Sequence, residues 1–166
     1  MKNKQGISGV IATVLLIMLT VGVASILFVF IVPWITSLLD NAKICNDMQE
    51  SVTIVEGKYT CYNSTYTKVM IKINEGKEVE VDSFSVSLAS SGSAKRYDIK
   101  NGVSINSGGV IVSMFNGSTK LAVPDVGGAE TYVFNFKAES VDVAPVLASG
   151  KTCDAVSQKL IDCSQA

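Results

Sequence analysis

Between positions 7 and 32 the chain is almost entirely apolar, and from position 52 onward apolar and polar residues alternate. No charged residue occurs between Lys4 and Asp40. A run of that length predicts a membrane-spanning helix, since about 20 residues cross a hydrocarbon core about 30 Å thick. Helix over 7–32 would reach about 39 Å at about 1.5 Å per residue, longer than a bilayer requires unless it tilts. Its polar positions are small ones: Ser8, Gly9, Thr13, Thr20, Gly22 and Ser25. Small residues let helices approach closely in an apolar medium, although any transmembrane helix carries some. Pro33 and Trp34 mark the far end, because proline disfavours helix continuation and an indole suits the membrane–water boundary. A turn or two of helix then resumes over 35–43.

Behind this helix the period becomes two. Val52 and Ile54, then Val69, Ile71 and Ile73, alternate with polar residues as half-buried strands do. Over 79–88, Val79 and Val81 share one parity while Phe84, Val86 and Leu88 share the other, which predicts a bulge or bend at Asp82-Ser83. Further strands are expected at 96–99, 103–105, 110–115, 120–123, 131–136 and 141–147, separated by the turn clusters SSGSAK, NSGG, NGST and PDVGGAE. Residues 154–161 read as a short helix in the tail. Fold class is therefore α+β: a long N-terminal hydrophobic helix, then an antiparallel β-sandwich, immunoglobulin-like or similar. The expected divisions are a leader at 1–6, the helix at 7–43 and an extracellular sandwich domain at 44–166.

Composition adds limits. One domain of about 125 residues behind the helix can bury a proper core, and the mean hydropathy of +0.35 owes most to the helix. Two of the 14 basic residues, Lys2 and Lys4, precede the apolar run, so 12 stand against 15 acidic ones behind it. That balance, without a basic cluster, argues against nucleic acid as a partner. Positive charge ahead of the first span keeps the N-terminus cytoplasmic and sends the following domain outside. Histidine is absent, which removes the usual general base and the commonest metal ligand.

Cys45, Cys61, Cys153 and Cys163 form an even set in an exported setting, which predicts disulfides rather than an all-cysteine zinc site. Pairing Cys45–Cys61 and Cys153–Cys163 is favoured because each would staple a local loop. The crossed alternative, tying the neck to the tail, stays open. Two N-x-[ST] sequons, at Asn63 and Asn116, stand in turn-like stretches and are candidate glycan acceptors. Glu78, Glu80 and Asp82 could share a strand face and hold calcium, but a solvated face beside Lys77 is the simpler reading. Tyr59, Tyr62 and Tyr66 flank Cys61 as an aromatic surface or as packing. Nothing sets a nucleophile beside a base, and no phosphate loop or metal motif occurs, so neither catalysis nor a cofactor or metal is expected.

Lys4, Gly6 and the segment ISGVIATVLLI that follows resemble the class III signal segment of archaeal type IV pilins and archaellin-like proteins. In that family a prepilin peptidase cuts after the glycine and the apolar helix stays on the mature protein. The resemblance covers about the first 35 residues and implies cleavage between Gly6 and Ile7, with Lys4 as the basic residue recognised upstream. Gly9 stands where proline is frequent in the family, and Gln5 where a second basic residue is common. Ile11 occupies the fifth mature position, where bacterial pilins carry glutamate and archaeal ones often do not. The resemblance implies a homopolymeric surface filament joined through its N-terminal helices, with the membrane as the location before assembly. A single-span anchored adhesin or a minor pilin is the alternative.

Overall fold

The computed structural model describes residues 5–75 and 81–166; the side chains of residues 5–8, 41 and 49 are outside that description. Two compact units meet between Lys43 and Ile44. The first is helical: α1 spans Gln5–Ile26, a π-turn Leu27–Ile31, and α2 begins at Val32 and runs on to Ser51. Pro33 therefore does not end the helix, contrary to the sequence expectation. It lacks the N–H that would reach the Val29 carbonyl, and its ring crowds that carbonyl. The wider turn just ahead, whose hydrogen bonds span five residues, takes up the misfit. Backbone angles at Ile26 and Val32, on either side of it, remain helical.

The second unit is a two-sheet sandwich. Its strands are β1 (Val52–Ile54), β2 (Cys61–Tyr62), β3 (Thr67–Ile73), β4 (Val81–Ser90), β5 (Ser93–Lys100), β6 (Ile105–Ser107), β7 (Val110–Met114), β8 (Ala129–Phe134), β9 (Ser140–Leu147), β10 (Val156–Lys159) and β11 (Ile161–Asp162). One sheet runs β11-β2-β3-β8-β7-β6, with β1 also on β3; the other runs β10-β9-β4-β5. Naming β1, β3, β8 and β7 as strands A, B, E and D, and β10, β9, β4 and β5 as G, F, C and C′, reproduces the immunoglobulin-like order. Every pairing is antiparallel except β11 on β2.

Alternation explains the core. Val69, Ile71 and Ile73 of β3, Val112 of β7, and Tyr132 and Phe134 of β8 face Phe84, Val86 and Leu88 of β4, Ile99 of β5, and Val141 and Val143 of β9 in one buried cluster. The parity change in β4 is a bulge: Val81 pairs with Leu147 and Ser83 with Val146, which leaves Asp82 as the extra residue. β1 and β2 lie end to end along β3, and the gap between them is filled by other donors and acceptors. Val55 N–H reaches Met70 O at 3.0 Å, and buried Thr60 Oγ1 accepts Met70 N–H at 3.0 Å. Thr67, also buried, ties the β8–β9 connection, donating to Phe136 O and accepting from Ala138 N–H. Such pairing is what buried polar groups require.

Two expectations are corrected. Residues 120–123 form no strand; Leu121 exchanges backbone bonds with Gly102 and Val103, and Val123 N–H binds Asn101 Oδ1, while the Leu121 side chain plugs the core. Residues 154–161 are not helical. β10 completes a sheet edge on β9, pinned ahead by Cys153 N–H on Pro145 O and behind by buried Leu160, so sheet pairing overrides a weak local preference.

All four cysteines are in disulfides, and the pairs are Cys45–Cys153 and Cys61–Cys163. The favoured local pairing is therefore incorrect and the crossed one forms. The reason is topological: β11 lies parallel to β2, which sets Ile161 opposite Cys61 and carries Cys163 back to it. Cys153, in the connection between β9 and β10, packs with Met48 and Leu147 beside Cys45.

Non-reducing peptide mapping is expected to yield the two long-range pairs and no local ones. Replacing Cys61 and Cys163 together by serine should cost about 2–5 kcal/mol in denaturant unfolding. A second expectation concerns Tyr97, whose buried hydroxyl has no hydrogen-bond partner among the described residues. Burial raises its pKa. Tyr97→Phe removes a desolvated polar group and should raise stability by about 1 kcal/mol, read as a higher urea midpoint at unchanged m-value.

Candidate functional site

The helical unit presents the largest unburied apolar surface among the described residues. The stretch Gly9–Met48 has a mean hydropathy of 2.9 in its most apolar window and buries none of that window. It is long and apolar enough to cross a membrane, a test that an anchor and a signal sequence both pass. Every side chain over residues 9–40 is exposed, with Phe28 and Phe30 each 70% accessible. Soluble proteins rarely leave so large a contiguous apolar patch uncovered.

Four hydroxyls on this helix are satisfied within it. Thr13 Oγ1 donates to Val10 O, Thr20 Oγ1 to Ile17 O, Ser25 Oγ to Val21 O and Thr36 Oγ1 to Pro33 O, all at 2.8–2.9 Å. In lipid or in a helix bundle these four hydroxyls keep a partner, as a water-free setting favours. A side chain added at Gly9 or Gly22 would meet open space, so both glycines present bare backbone outward. The Gly6–Ile7 peptide lies in the first turn of α1. Lys4 lies outside the described residues, as do Lys77, Glu78 and Glu80.

On the sandwich, the carboxylate of Asp82 pairs with Lys100 Nζ at 3.1 Å. Among the described residues no group of three or more His, Cys, Asp or Glu gathers that could hold a metal ion.

The three tyrosines part company. Tyr62 packs at the edge of the core beneath Lys137, whose Nζ is 5.3 Å from its ring centroid. Tyr59 instead folds over the outer face of the larger sheet and meets Phe115 edge-to-face at 5.7 Å. Lys68 Nζ stands 5.2 Å from the Tyr66 ring and 5.3 Å from Phe115, linking the two. The result is a groove of about 320 Å³ whose lining includes Tyr59, Met70, Phe115, Asn116, Glu130 and Thr131. Phe115 was not singled out from sequence. It directly precedes the sequon asparagine in a turn, and that adjacency was the available signal.

Both sequon asparagines turn their Oδ1 into the backbone. Asn63 Oδ1 accepts from Thr65 N, Thr65 Oγ1 and Tyr66 N; Asn116 Oδ1 accepts from Ser118 N at 2.9 Å. Asn116 is exposed and Asn63 half-buried. Near the tail, hydrogen bonds from Ser164 hold the Asp162 carboxyl below the usual carboxylate range. These bonds organise the turn that follows Cys163.

Comparison with protein-family models gives no match, and comparison with the curated proteins gives none.

Trp34 is the one tryptophan and is 64% exposed, so its fluorescence reports on the far end of the apolar stretch. In liposomes its emission should shift to the blue and be quenched more strongly by lipids brominated near the top of the acyl chain than near the end. Quenching by neither would show that this part of the helix avoids the bilayer boundary.

Proposed function

We propose that the chain is a structural subunit of an archaeal type IV pilus-like surface filament. The observation that carries this reading is the helix: an uncovered apolar stretch, with four of its hydroxyls internally bonded, borne by a disulfide-closed sandwich. Before assembly the helix holds the subunit in the cell membrane while the sandwich folds outside. A prepilin peptidase then cuts between Gly6 and Ile7. The freed helix leaves lipid and packs with other copies of itself along the filament core.

Little changes in apolar burial during that exchange, because lipid chains and helix bundles are both apolar. Association therefore rests on close packing and on steric access at Gly9 and Gly22 rather than on a hydrophobic driving force. The subunit performs no catalysis and needs no cofactor, and its acidic domain has no nucleic acid as partner. A membrane-anchored adhesin or minor pilin is the second reading, and the exposed aromatic groove is what favours it.

Mass spectrometry of the N-terminus tests the first reading: the mature chain should begin at Ile7. A chain that keeps Met1–Gly6, or starts elsewhere, would sink it. Abundance separates the two readings, since a major subunit should dominate the protein stain of sheared filaments and a minor one should not.

A further inference from the structure

We infer that the Tyr59–Phe115 groove is the bed of an N-linked glycan carried on Asn116, whose proximal pyranose lies against the two rings. The inference rests on the domain standing outside the cytoplasm, but not on filament formation. Asn116 itself lines the groove, so a sugar on its Nδ2 begins at the groove wall. The backbone there is firmly placed: Gly117 N–H bonds Met114 O, Met114 N–H bonds Ser118 O, and Phe115 N–H bonds Thr131 O. Gly117 takes φ +86°, a value open to glycine, and it closes the turn that sets Asn116 beside Phe115.

Phe115 is 56% exposed, so much of its ring stays open beside Tyr59 and Lys68. Its plane stands at 88° to that of Tyr59, so the two form a corner. A pyranose presents C–H bonds of slight positive charge on its flat face, and the π face of an aromatic ring is negative, so the two surfaces attract. Lys68 Nζ at the Phe115 ring offers a donor to sugar oxygens, and Glu130 in the lining offers an acceptor to sugar hydroxyls.

The attachment step needs a sugar esterified at its anomeric carbon to a lipid phosphate, and a transferase. Asn116 Nδ2 forms a bond to that carbon as the carbon–oxygen bond breaks. The lipid phosphate leaves with the electron pair, and the amide proton passes to a base of the transferase.

The test uses full-length protein purified from the membranes of its own cells. Glycopeptide mass spectrometry is expected to place a hexose-class sugar on Asn116. Asn116→Gln should lower the thermal midpoint by about 3–6 °C in the natural background. In a Phe115→Ala background, where the sequon is intact and the altered side chain is exposed, the same replacement should shift the midpoint by less than about 1 °C if the contact is the cause. A bare Asn116 overturns the inference, as does an equal loss in both backgrounds. Should Asn116 be bare and Phe115 become protected from oxidative footprinting only in assembled material, a second copy covers the groove instead and the inference fails. A glycan found in cells without filaments would leave this inference standing and count against the filament alone.

Discussion

Two disulfides that each span more than a hundred residues set the covalent frame of the sandwich. Cys153 and Cys163 flank β10 and β11, and both are joined to partners near the start of the domain, so the last strands are fastened at each end. In the chain-entropy view a closed loop of about 100 residues withdraws about 4–5 kcal/mol from the unfolded ensemble, and overlapping loops contribute less than twice that. The effect is largest where it is most needed. β10 is a four-residue edge strand with an alternating but mostly polar face, and the two-residue pairing of β11 on β2 would contribute little by itself.

The helical unit faces the opposite constraint. Four of its hydroxyls bond within it, yet none of its most apolar window is buried. Stability for such an element comes from its surroundings, whether lipid or neighbouring helices, and not from its own chain. The π-turn before Pro33 keeps the helix continuous where a proline would otherwise interrupt it. A continuous helix suits both a bilayer and a bundle, because neither can hydrate a broken turn.

Much of the candidate site was legible locally. The apolar run, the sequons and the aromatic cluster near Cys61 all appear in the residue order itself. The groove was not, because Phe115 lies 56 positions after Tyr59 and meets it only once β3, β8 and β7 are set side by side. Tyr62 and Tyr66 differ in fate for the same reason: one packs at the edge of the core and the other lies beside Lys68 on the outer face of the sheet. Adjacent letters in the chain carry no information about which face a loop will cover.

What the chain determines by itself is whatever depends on near neighbours. Unbroken hydrophobicity defines the helix, and period-two alternation defines β3, β4 and β9, down to the bulge at Asp82, since parity alone records an extra residue. Tertiary structure decided what depends on distant partners. It turned 154–161 from an expected helix into a sheet edge, because pairing with β9 outweighs local preference. It joined Cys45 to Cys153 and Cys61 to Cys163 instead of to their nearer neighbours, because a disulfide forms between sulfurs that the folded backbone brings within a few ångströms, however far apart they lie along the chain.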